Sequence, residues 1–374
     1  MIRKVYTDLI FRKFREDGSS WLVKRARQYL LLLLSEKLHR PLCGPALGTL
    51  MVTYRCNFHC QMCDMPAKAT AYQKQGKREF TTERLKEFIK EFAELGTPGI
   101  GFTGGEPLLR DDIFELMAET RRLGMIAHLN SNGWLLGDSE AEKIIACGVD
   151  SVNISLDGAT AETHDHIRCT PGSFDRAVQA IERLVRLKRK TGSLLRIKTV
   201  AVVSETNIDE VPQMLTLGKQ LGINCIELIP RQPFTVTGQG NNDETKLLNT
   251  VDALVNTLLE TKHTCVPLEN SAAHLKLFHD SFAGVPSPVT CRAGYNSLAV
   301  DCYGNIFPCV PWINWGKSTG SAAGSTLAEI WRSPEYQIQR EKMSNCRDCY
   351  LNCQAELNLL FDFFHTKRGK RGYQ

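Results

Sequence analysis

The sequence predicts an α/β protein built on a mostly parallel sheet, and two observations support this fold class. Between residues 48 and 265, apolar runs of strand length alternate with amphipathic segments in six successive strand–helix units. Such alternation places parallel strands side by side and joins them through crossover helices. Polar motifs follow several of the strands, where parallel α/β proteins collect their chemistry. Periodicity alone leaves two architectures open, a doubly wound sheet and most of a (β/α)8 barrel.

The first unit shows the pattern. Residues 47–54, LGTLMVTY, form an apolar run that predicts a buried strand. Residues 82–95 predict a helix, with Thr81 or Thr82 as its N-cap and Gly96 as its stop. The later predicted strands lie within 99–107, 125–133, 151–158, 195–203 and 224–230, and the later helices within 113–124, 139–148, 174–190, 211–222 and 244–262.

The pattern changes after about residue 266, where Pro and Gly interrupt short apolar stretches. YNSLAVD followed by GNIFPC predicts a small β-hairpin over 295–309. Residues 325–342 predict helix, and the cysteine-rich segment CRDCYLNC follows at 346–353. We therefore predict a basic helical N-terminal extension over 1–47, a strand–helix domain over 48–265 and a small cysteine-rich domain over 266–374.

Fourteen cysteines in 374 residues call for an explanation. A disulfide scaffold is the first alternative, but such scaffolds are typical of short secreted chains. This chain is long and shows no secretory signal, since the run YLLLLL at 29–34 is followed at once by Ser35 and Glu36. We therefore expect a reducing cytoplasm and thiols that bind metal.

The N-terminal extension carries the positive charge of the chain. Residues 1–40 hold ten Lys and Arg against four Asp and Glu, whereas the whole chain has a formal charge of +5. The leucine-rich segment 21–40 contains the run YLLLLL, which is too short to span a bilayer. Two alternatives stay open for it: a helix that packs on the domain with its cations outward, and a helix that contacts a membrane surface or an acidic partner.

Three cysteines lie within eight residues directly after the first predicted strand. They are Cys56, Cys60 and Cys63, in the segment CNFHCQMC. Three thiolates do not complete a tetrahedral zinc site, although His59 could supply a fourth ligand. They can instead hold three corners of a four-iron cluster and leave one iron open.

This C-x3-C-x2-C pattern, followed by GGEP at 104–107, resembles the radical S-adenosylmethionine (radical SAM) enzymes. The resemblance implies a partial (β/α)6 TIM-like barrel and a [4Fe–4S] cluster whose open iron binds S-adenosylmethionine. It further implies that an electron from the cluster breaks the sulfonium C5′–S bond, and that the resulting 5′-deoxyadenosyl radical abstracts hydrogen from a substrate. An external electron donor such as flavodoxin or ferredoxin is implied as well, and we expect no nucleic-acid partner.

The same resemblance implies which residues surround S-adenosylmethionine. The plain alternatives are a turn for the glycines and Asn132, a surface ion pair for Arg168 and a core position for Ile229. Cys169 and Cys302 are further candidates, as donors of a hydrogen atom to a substrate radical. The implied cofactor-binding residues are Met62, Gly104, Gly105, Glu106, Ser131, Asn132, Ser155, Arg168 and Ile229.

The C-terminal cysteines resemble the SPASM/twitch extension of the same superfamily. The matching residues are Cys291, Cys309, Cys346, Cys349 and Cys353. A full SPASM domain uses seven cysteines for two clusters, and four thiolates saturate one cluster. At least one auxiliary [4Fe–4S] cluster is therefore implied, with the role of Cys353 open. A zinc knuckle with four cysteines is the structural alternative.

The resemblance favours modification of a peptide or protein side chain with help from the auxiliary cluster. Oxidation or epimerisation of a sugar or an aminocyclitol is an alternative, and so is a lipid substrate. No peptide-clasping winged-helix domain is evident at the N-terminus, which keeps small molecules among the candidates. The alternative from another class is a non-catalytic iron–sulfur or zinc-binding protein, and the GGEP motif argues against it because a carrier needs no open iron.

Overall fold

A single mixed sheet organises the computed structural model, which describes residues 13–14, 18–232, 244–261, 268–314 and 318–361. Nine strands belong to this sheet in the described residues. In chain order they are β1 (Leu47–Thr53), β2 (Gly99–Gly104), β3 (Ile126–Ser131), β4 (Ser151–Ser155), β5 (Arg196–Val203), β6 (Cys225–Pro230), β7 (Ser297–Asp301), β8 (Asn305–Phe307) and β9 (Gly320–Ser321).

The strand order decides between the two predicted architectures. Strands β1 to β6 are parallel and neighbour one another in chain order. A doubly wound sheet reverses its strand order at a switch point, and β1 to β6 show no reversal. The α/β prediction with a partial (β/α)6 barrel is therefore confirmed. On the other side of β1 the sheet continues with β7, which is parallel to β1, and then with the antiparallel β8 and β9.

Fourteen α-helices lie in the described residues, several of them packed on one face of the sheet. They are α1 (Ser19–Lys37), α2 (Met65–Lys74), α3 (Thr82–Glu94), α4 (Ile113–Arg122), α5 (Asp138–Ala146), α6 (Ala161–Arg168), α7 (Ser173–Thr191), α8 (Val211–Leu221), α9 (Glu244–Thr261), α10 (Ala272–Phe282), α11 (Val310–Asn314), α12 (Leu327–Arg332), α13 (Pro334–Ser344) and α14 (Asn352–Leu359). Alternate strand residues such as Leu129, Val152 and Ile197 pack under these helices in one apolar core. The intervening residues therefore lie on the inner face of the barrel.

The predicted end signals of α3 are present. The side chain of Thr81 accepts a hydrogen bond from the backbone N–H of Arg84, as an N-cap does. Gly96 has φ +78°, which stops the helix in the left-handed region. The hairpin prediction is also confirmed, because β7 and β8 pair antiparallel.

The N-terminal helix α1 packs across the base of the barrel. Gln28 is buried and donates from Nε2 to the carbonyl oxygens of Gly44 and Pro45, at 3.1 and 3.2 Å. A cavity of about 560 Å³ lies between this helix and the loops that precede β2 and β3. None of the described helices is long and apolar enough to cross a membrane.

Candidate metal and cofactor site

The loop that carries Cys56, Cys60 and Cys63 leaves the C-terminal end of β1 and is fixed at its start by Glu79. The Oε1 atom of Glu79 accepts hydrogen bonds from Thr53 Oγ1 at 2.7 Å and from Tyr54 N at 2.9 Å. Tyr54 is buried, and its hydroxyl donates to Asp301 Oδ2 at 2.5 Å. The loop is thereby tied to the end of β7, at the start of the cysteine-rich region.

The three thiols of this loop lie close enough to influence one another. Burial, together with the charges of Glu106, Cys60 and Cys63, raises the pKa of Cys56 to about 11. Burial also raises the pKa of Cys60 and that of Cys63. Three thiolates gathered in this way repel one another, and a cationic metal centre would relieve the repulsion. The donor set consists of soft sulfur ligands, which fits an iron–sulfur cluster.

The far side of the loop rests on the C-terminal end of α6. Gln61 donates from its backbone N–H to the carbonyl of Ile167 at 3.0 Å and from Nε2 to the carbonyl of His166 at 3.0 Å. Arg168, the last residue of α6, directs Nη1 to the Sγ atom of Cys60 at 3.8 Å. Helix α6 therefore positions the middle of the thiol loop.

Arg168 is held in a buried ion pair. Its Nε and Nη2 atoms both lie 2.5 Å from Oδ2 of Asp157, whose side chain is fully buried. Desolvation lowers the pKa of Arg168, but the charges of Asp157 and Cys60 outweigh it, and the pKa is raised overall. Two of the three guanidinium nitrogens are thus engaged by Asp157, a pairing that was not predicted from the sequence.

The two glycines of GGEP make room for the backbone of the thiol loop. Gly104 has φ +137°, and a Cβ atom there would lie 2.1 Å from the carbonyl oxygen of Thr53. A Cβ atom at Gly105 would lie 2.0 Å from the carbonyl oxygen of Arg55. The backbone N–H of Gly105 donates to Thr53 O at 2.8 Å. The absence of side chains is therefore required by the protein's own packing.

A Gly105→Ala substitution should displace the start of the thiol loop, because the new methyl group and the Arg55 carbonyl cannot share the same space. We expect lower iron incorporation on anaerobic reconstitution and a lower melting temperature. Gly101→Ala, within β2, is the matched control, since the only neighbour of its Cβ within 4 Å among the described residues is the Gly48 oxygen at 3.9 Å. Equal iron content in the two variants would contradict this account.

Glu106 joins the ends of β2 and β3. Its side chain is 1% exposed and accepts hydrogen bonds from Leu108 N at 3.0 Å, Ser131 Oγ at 2.9 Å and Asn132 N at 2.7 Å. Burial raises its pKa, and these three hydrogen bonds oppose the rise. Asn132 in turn donates from Nδ2 to Asn57 Oδ1, in the thiol loop, at 2.9 Å. The GGEP, NSNG and CNFHCQMC segments therefore form one hydrogen-bonded unit.

The structure also locates the other residues predicted to contact the cofactor. Ser155 ends β4, Ile229 lies one residue before the end of β6, and both are half-buried at the carboxyl end of the sheet. Met62 is half-buried within the thiol loop, beside the exposed Cys63. All three lie at the edge of the barrel predicted for the site.

The two candidate hydrogen donors differ in access. Cys169 is exposed, has φ +51°, and lines an open surface depression together with Gln61 and His166. Cys302 is fully buried and packs with Met51 and other apolar side chains. Cys302 as a hydrogen donor stays a prediction, and its burial requires that the surrounding apolar side chains move before a substrate can reach the thiol.

The auxiliary cysteines converge at the side of the sheet where β7 and β8 lie. Cys291, Cys309 and Cys346 share a small apolar cluster with Met343. A hydrogen bond from Cys291 lowers the pKa of Cys346 to about 7, and the same bond raises the pKa of Cys291. Burial raises the pKa of Cys309, and the charges of Cys349, Cys353 and Cys346 raise it further. The chain therefore brings all five predicted auxiliary thiols into one group.

Cys353 differs from the other four because the residue as a whole is exposed at the surface. Crowding of the thiol by neighbouring groups raises its pKa to about 12, and the carboxylate charge of Glu227 on β6 contributes to the rise. Within the described residues, no three His, Cys, Asp or Glu side chains are arranged to hold a single metal ion.

The inner face of the barrel carries a network of polar and charged side chains. Lys198 on β5 lies 2.7 Å from Glu269 Oε2 and 3.6 Å from Glu227 Oε2. Asn153 on β4 donates from Nδ2 to Glu227 Oε2 at 3.1 Å, and its buried Oδ1 has no hydrogen-bond partner in the described residues. Burial lowers the pKa of His128, on β3, to about 3, so this histidine is neutral at physiological pH.

The buried pair of Lys198 and Glu269 should make stability depend on acid pH. Burial alone would raise the pKa of Glu269, but the Lys198 charge dominates and lowers it from 4.5 to about 2. A depressed folded-state pKa contributes stability above pH 4.5 that is lost as the pH falls towards 2. We expect Glu269→Gln to flatten the fall in melting temperature over this range. An unchanged pH profile in the variant would contradict the prediction.

Several positioning residues were not predicted from the sequence. Glu79 and Gln61 fix the thiol loop through contacts with distant elements, and neither belongs to a recognisable motif. Asn57 lies within the motif, and its buried Nδ2 atom has no hydrogen-bond partner in the part of the chain that the structure describes. An unpaired donor next to Cys56 is a position from which a bound group can accept a hydrogen bond.

Comparison with known proteins agrees with this geometry. Residues 50–217 match the model of the radical SAM superfamily, and residues 291–350 match the SPASM iron–sulfur cluster-binding domain. An AdoMet-dependent heme synthase of Methanosarcina barkeri is 29% identical over 78% of this chain and 83% of its own length. A PqqA peptide cyclase of Gluconobacter oxydans is 27% identical over 80% of each chain.

A solved structure shows the same fold. The crystal structure of Streptococcus suis SuiB bound to S-adenosylmethionine superposes with a TM-score of 0.62 and 15% identity, over 84% of this chain and 70% of that one. The thiol loop at the end of β1, the GGEP turn and the family matches together place this chain in the radical SAM superfamily. Within the superfamily it is an enzyme with a SPASM domain, and its cofactors are a [4Fe–4S] cluster, S-adenosylmethionine and auxiliary iron–sulfur clusters.

Proposed function

We propose that this enzyme abstracts a hydrogen atom from a peptide or protein side chain bound against the inner face of the barrel. The observation that supports this most strongly is the link between the auxiliary cysteine segment and the end of β6, where the backbone N–H of Tyr350 donates to Gln232 Oε1 at 3.0 Å. It joins the auxiliary cysteine segment to the carboxyl end of the barrel, where a substrate would lie between the two metal-binding regions. The relationship to a PqqA peptide cyclase supports a peptide as the substrate class.

The bound cofactors would supply one electron to S-adenosylmethionine, which then breaks into methionine and a 5′-deoxyadenosyl radical that takes a hydrogen atom from the substrate. Cys56, Cys60 and Cys63 would hold the cluster, and the buried pair of Arg168 and Asp157 would position Cys60. Ser155 and Ile229 would line the nucleoside site from the strand ends.

Glu106 would act as a positioning residue. Its three hydrogen bonds hold the ends of β2 and β3 together, and therefore hold the backbone on which the methionine group would rest. The further proposed contacts to S-adenosylmethionine are Met62, Gly104, Gly105, Ser131, Asn132 and Arg168. Cys169 remains a proposed hydrogen donor, reachable from solvent beside the thiol loop.

The proposed auxiliary ligands are Cys291, Cys309, Cys346 and Cys349, with Cys353 as a fifth thiol between cluster and substrate. We also propose the division into residues 1–47, 48–265 and 266–374. A flavodoxin or ferredoxin would supply the electron.

The polar side chains on the inner face of the barrel indicate which class of substrate could bind there. Lys198, Glu227 and Glu269 give it charges of both signs, and Asn153 offers an unpaired amide oxygen. Peptide groups and ionic side chains complement such a surface, whereas an apolar lipid would lie against charged groups and leave the Asn153 oxygen without a partner. The structure therefore favours a polar substrate.

A tetrapyrrole is the second candidate, because three of the curated relatives are heme synthases that are 26–29% identical to this chain. The cationic side chains of Lys198 and Arg196, which lie on the inner face of β5, could receive its carboxylates. Protease treatment distinguishes the two candidates, because a protease destroys a peptide and leaves a tetrapyrrole intact.

Isotope transfer from the substrate tests the proposal. The reconstituted, reduced enzyme is incubated with S-adenosylmethionine and a deuterated extract of the producing cells, and the deuterium content of 5′-deoxyadenosine is measured by mass spectrometry. We expect deuterium transfer that disappears when the extract is first treated with protease. Transfer that survives the protease would exclude a peptide, and a parallel assay with iron coproporphyrin III would then test the tetrapyrrole.

A further inference from the structure

Helix α1 has one face that packs on the protein and one face that is exposed. Buried Gln28, Leu32 and Ser35 define the inner face. Tyr29, at the edge of this face, stacks on Phe361 with ring centroids 4.8 Å apart and donates to the Leu360 carbonyl at 3.0 Å. These contacts fix the rotation of the helix about its axis, so its opposite face points away from the protein.

That opposite face carries a row of apolar side chains, which we call the outer stripe. Its members are Val23, Leu30, Leu34 and Leu38, which are 66%, 59%, 46% and 52% exposed. Their spacing of seven, four and four residues keeps them on one side of a helix. The alternative in which this segment packs on the domain and presents only cations to solvent is therefore incomplete, because the helix also presents leucines.

Cations surround the outer stripe. Lys24, Arg27, Lys37 and Arg40 are all exposed. Between residues 18 and 40 the only acidic residue is Glu36, and it is half-buried in an ion pair with Arg292 at 2.9 Å. The exposed surface of this helix is thus both apolar and positively charged.

We propose that α1 docks the protein on the surface of an anionic lipid bilayer. The outer stripe would enter the boundary between headgroups and acyl chains, and the four cations would contact lipid phosphates. The long side chains of Arg27 and Lys37 can extend to the phosphates while their methylene stems stay among the leucines.

Charge complementarity selects this occupant over a second copy of the chain. In a symmetric dimer the same patch meets itself, so the cations of the two copies would face each other without acids to pair with. An anionic bilayer presents negative charge and an apolar layer together. Since residues 1–40 carry a surplus of six cations and the whole chain only +5, the attraction is local to this end of the protein.

Co-sedimentation of the full-length, cluster-loaded protein with vesicles tests the proposal. The vesicles contain phosphatidylcholine with phosphatidylglycerol, or phosphatidylcholine alone. We expect binding only to the anionic vesicles, and weaker binding as salt is added. Leu30→Ser and Leu34→Ser should each weaken binding about 10-fold. Arg27→Gln and Lys37→Gln should each weaken it about 5-fold.

Two variants outside α1 serve as matched controls. Leu194 is 62% exposed and Lys190 is also exposed. Leu194→Ser and Lys190→Gln therefore remove an exposed leucine and an exposed cation outside the outer stripe. Both should bind vesicles as the wild type does. Melting temperature and iron content should be unchanged in all six variants, which separates docking from folding.

Three results would overturn the proposal. The first is equal binding to neutral and anionic vesicles. The second is binding that the outer-stripe variants do not alter. The third is a dimer, seen by light scattering, that the Leu34→Ser variant converts to a monomer, because a second copy would then cover the stripe.

Discussion

Replacing any one of Cys56, Cys60 and Cys63 by Ala is expected to reduce 5′-deoxyadenosine formation to the level seen without enzyme. The three thiols lie in one loop. The charges of Cys60 and Cys63 raise the pKa of Cys56, and the charge of Cys60 raises the pKa of Cys63. Two thiols cannot hold a four-iron cluster in place against solvent and leave a single iron open. The cluster is the source of the electron, so its loss removes the reaction at its first step.

The measurement is an anaerobic assay with dithionite, combined with an iron count after reconstitution. Each variant should lose about four irons per chain relative to the wild type. Cys147→Ala is the control, because Cys147 caps α5 and its thiol bonds to the Ile144 carbonyl, far along the chain from the thiol loop. Full activity in the Cys60→Ala variant would contradict the assignment.

Asp157→Asn is expected to give the largest loss of stability, about 3–5 kcal/mol in the free energy of unfolding. The substitution leaves the Arg168 guanidinium largely buried without a counter-ion, and an uncompensated buried charge carries a penalty of this size. Asp157 Oδ1 also accepts a hydrogen bond from Val202 N at 2.8 Å, so the single oxygen of Asn can accept from Val202 or from Arg168, and not from both. Because Arg168 contacts Cys60, iron content should fall too.

Anaerobic urea unfolding of the wild type and the variant measures this difference. Asp138→Asn is the matched control: its carboxylate pairs with Arg186 at 2.7 Å, but the two side chains are 71% and 69% exposed. Exposed pairs contribute less than about 1 kcal/mol, so this variant should unfold almost as the wild type does. Similar losses for the two variants would show that burial does not govern the Arg168 pair.

The strands and the amphipathic helices could be predicted from the sequence because their hydrophobic periods are regular. Helix α3 shows this, with Leu85, Phe88, Ile89 and Phe92 all buried on one face. Helix α2, MPAKATAYQK, was not predicted, because it buries only Met65 and Ala69 and has no apolar period. The parallel pairing of β7 with β1 was missed for another reason: contacts between segments about 250 residues apart leave no local pattern.

The candidate site was predictable where function imposes a spacing, as at Cys56, Cys60 and Cys63. It was not predictable where tertiary contacts decide a side chain's role. Glu106 was predicted to place a charge near the cofactor, but its carboxylate accepts hydrogen bonds from Ser131 and Asn132 and so joins the ends of β2 and β3. Arg168 was predicted to bind a carboxylate of the cofactor, but the Nε and Nη2 atoms of its guanidinium group contact Asp157.

The most direct test of the account is the identity of the ligand on the fourth iron of the Cys56, Cys60 and Cys63 cluster. Electron–nuclear double resonance of the reduced enzyme, with S-adenosylmethionine labelled by ¹⁵N at its amino group and ¹⁷O at its carboxylate, measures this ligation. We expect couplings from both labels that vanish in the Cys60→Ala variant. A fully reconstituted cluster without either coupling, or a zinc ion in its place, would contradict the central claim.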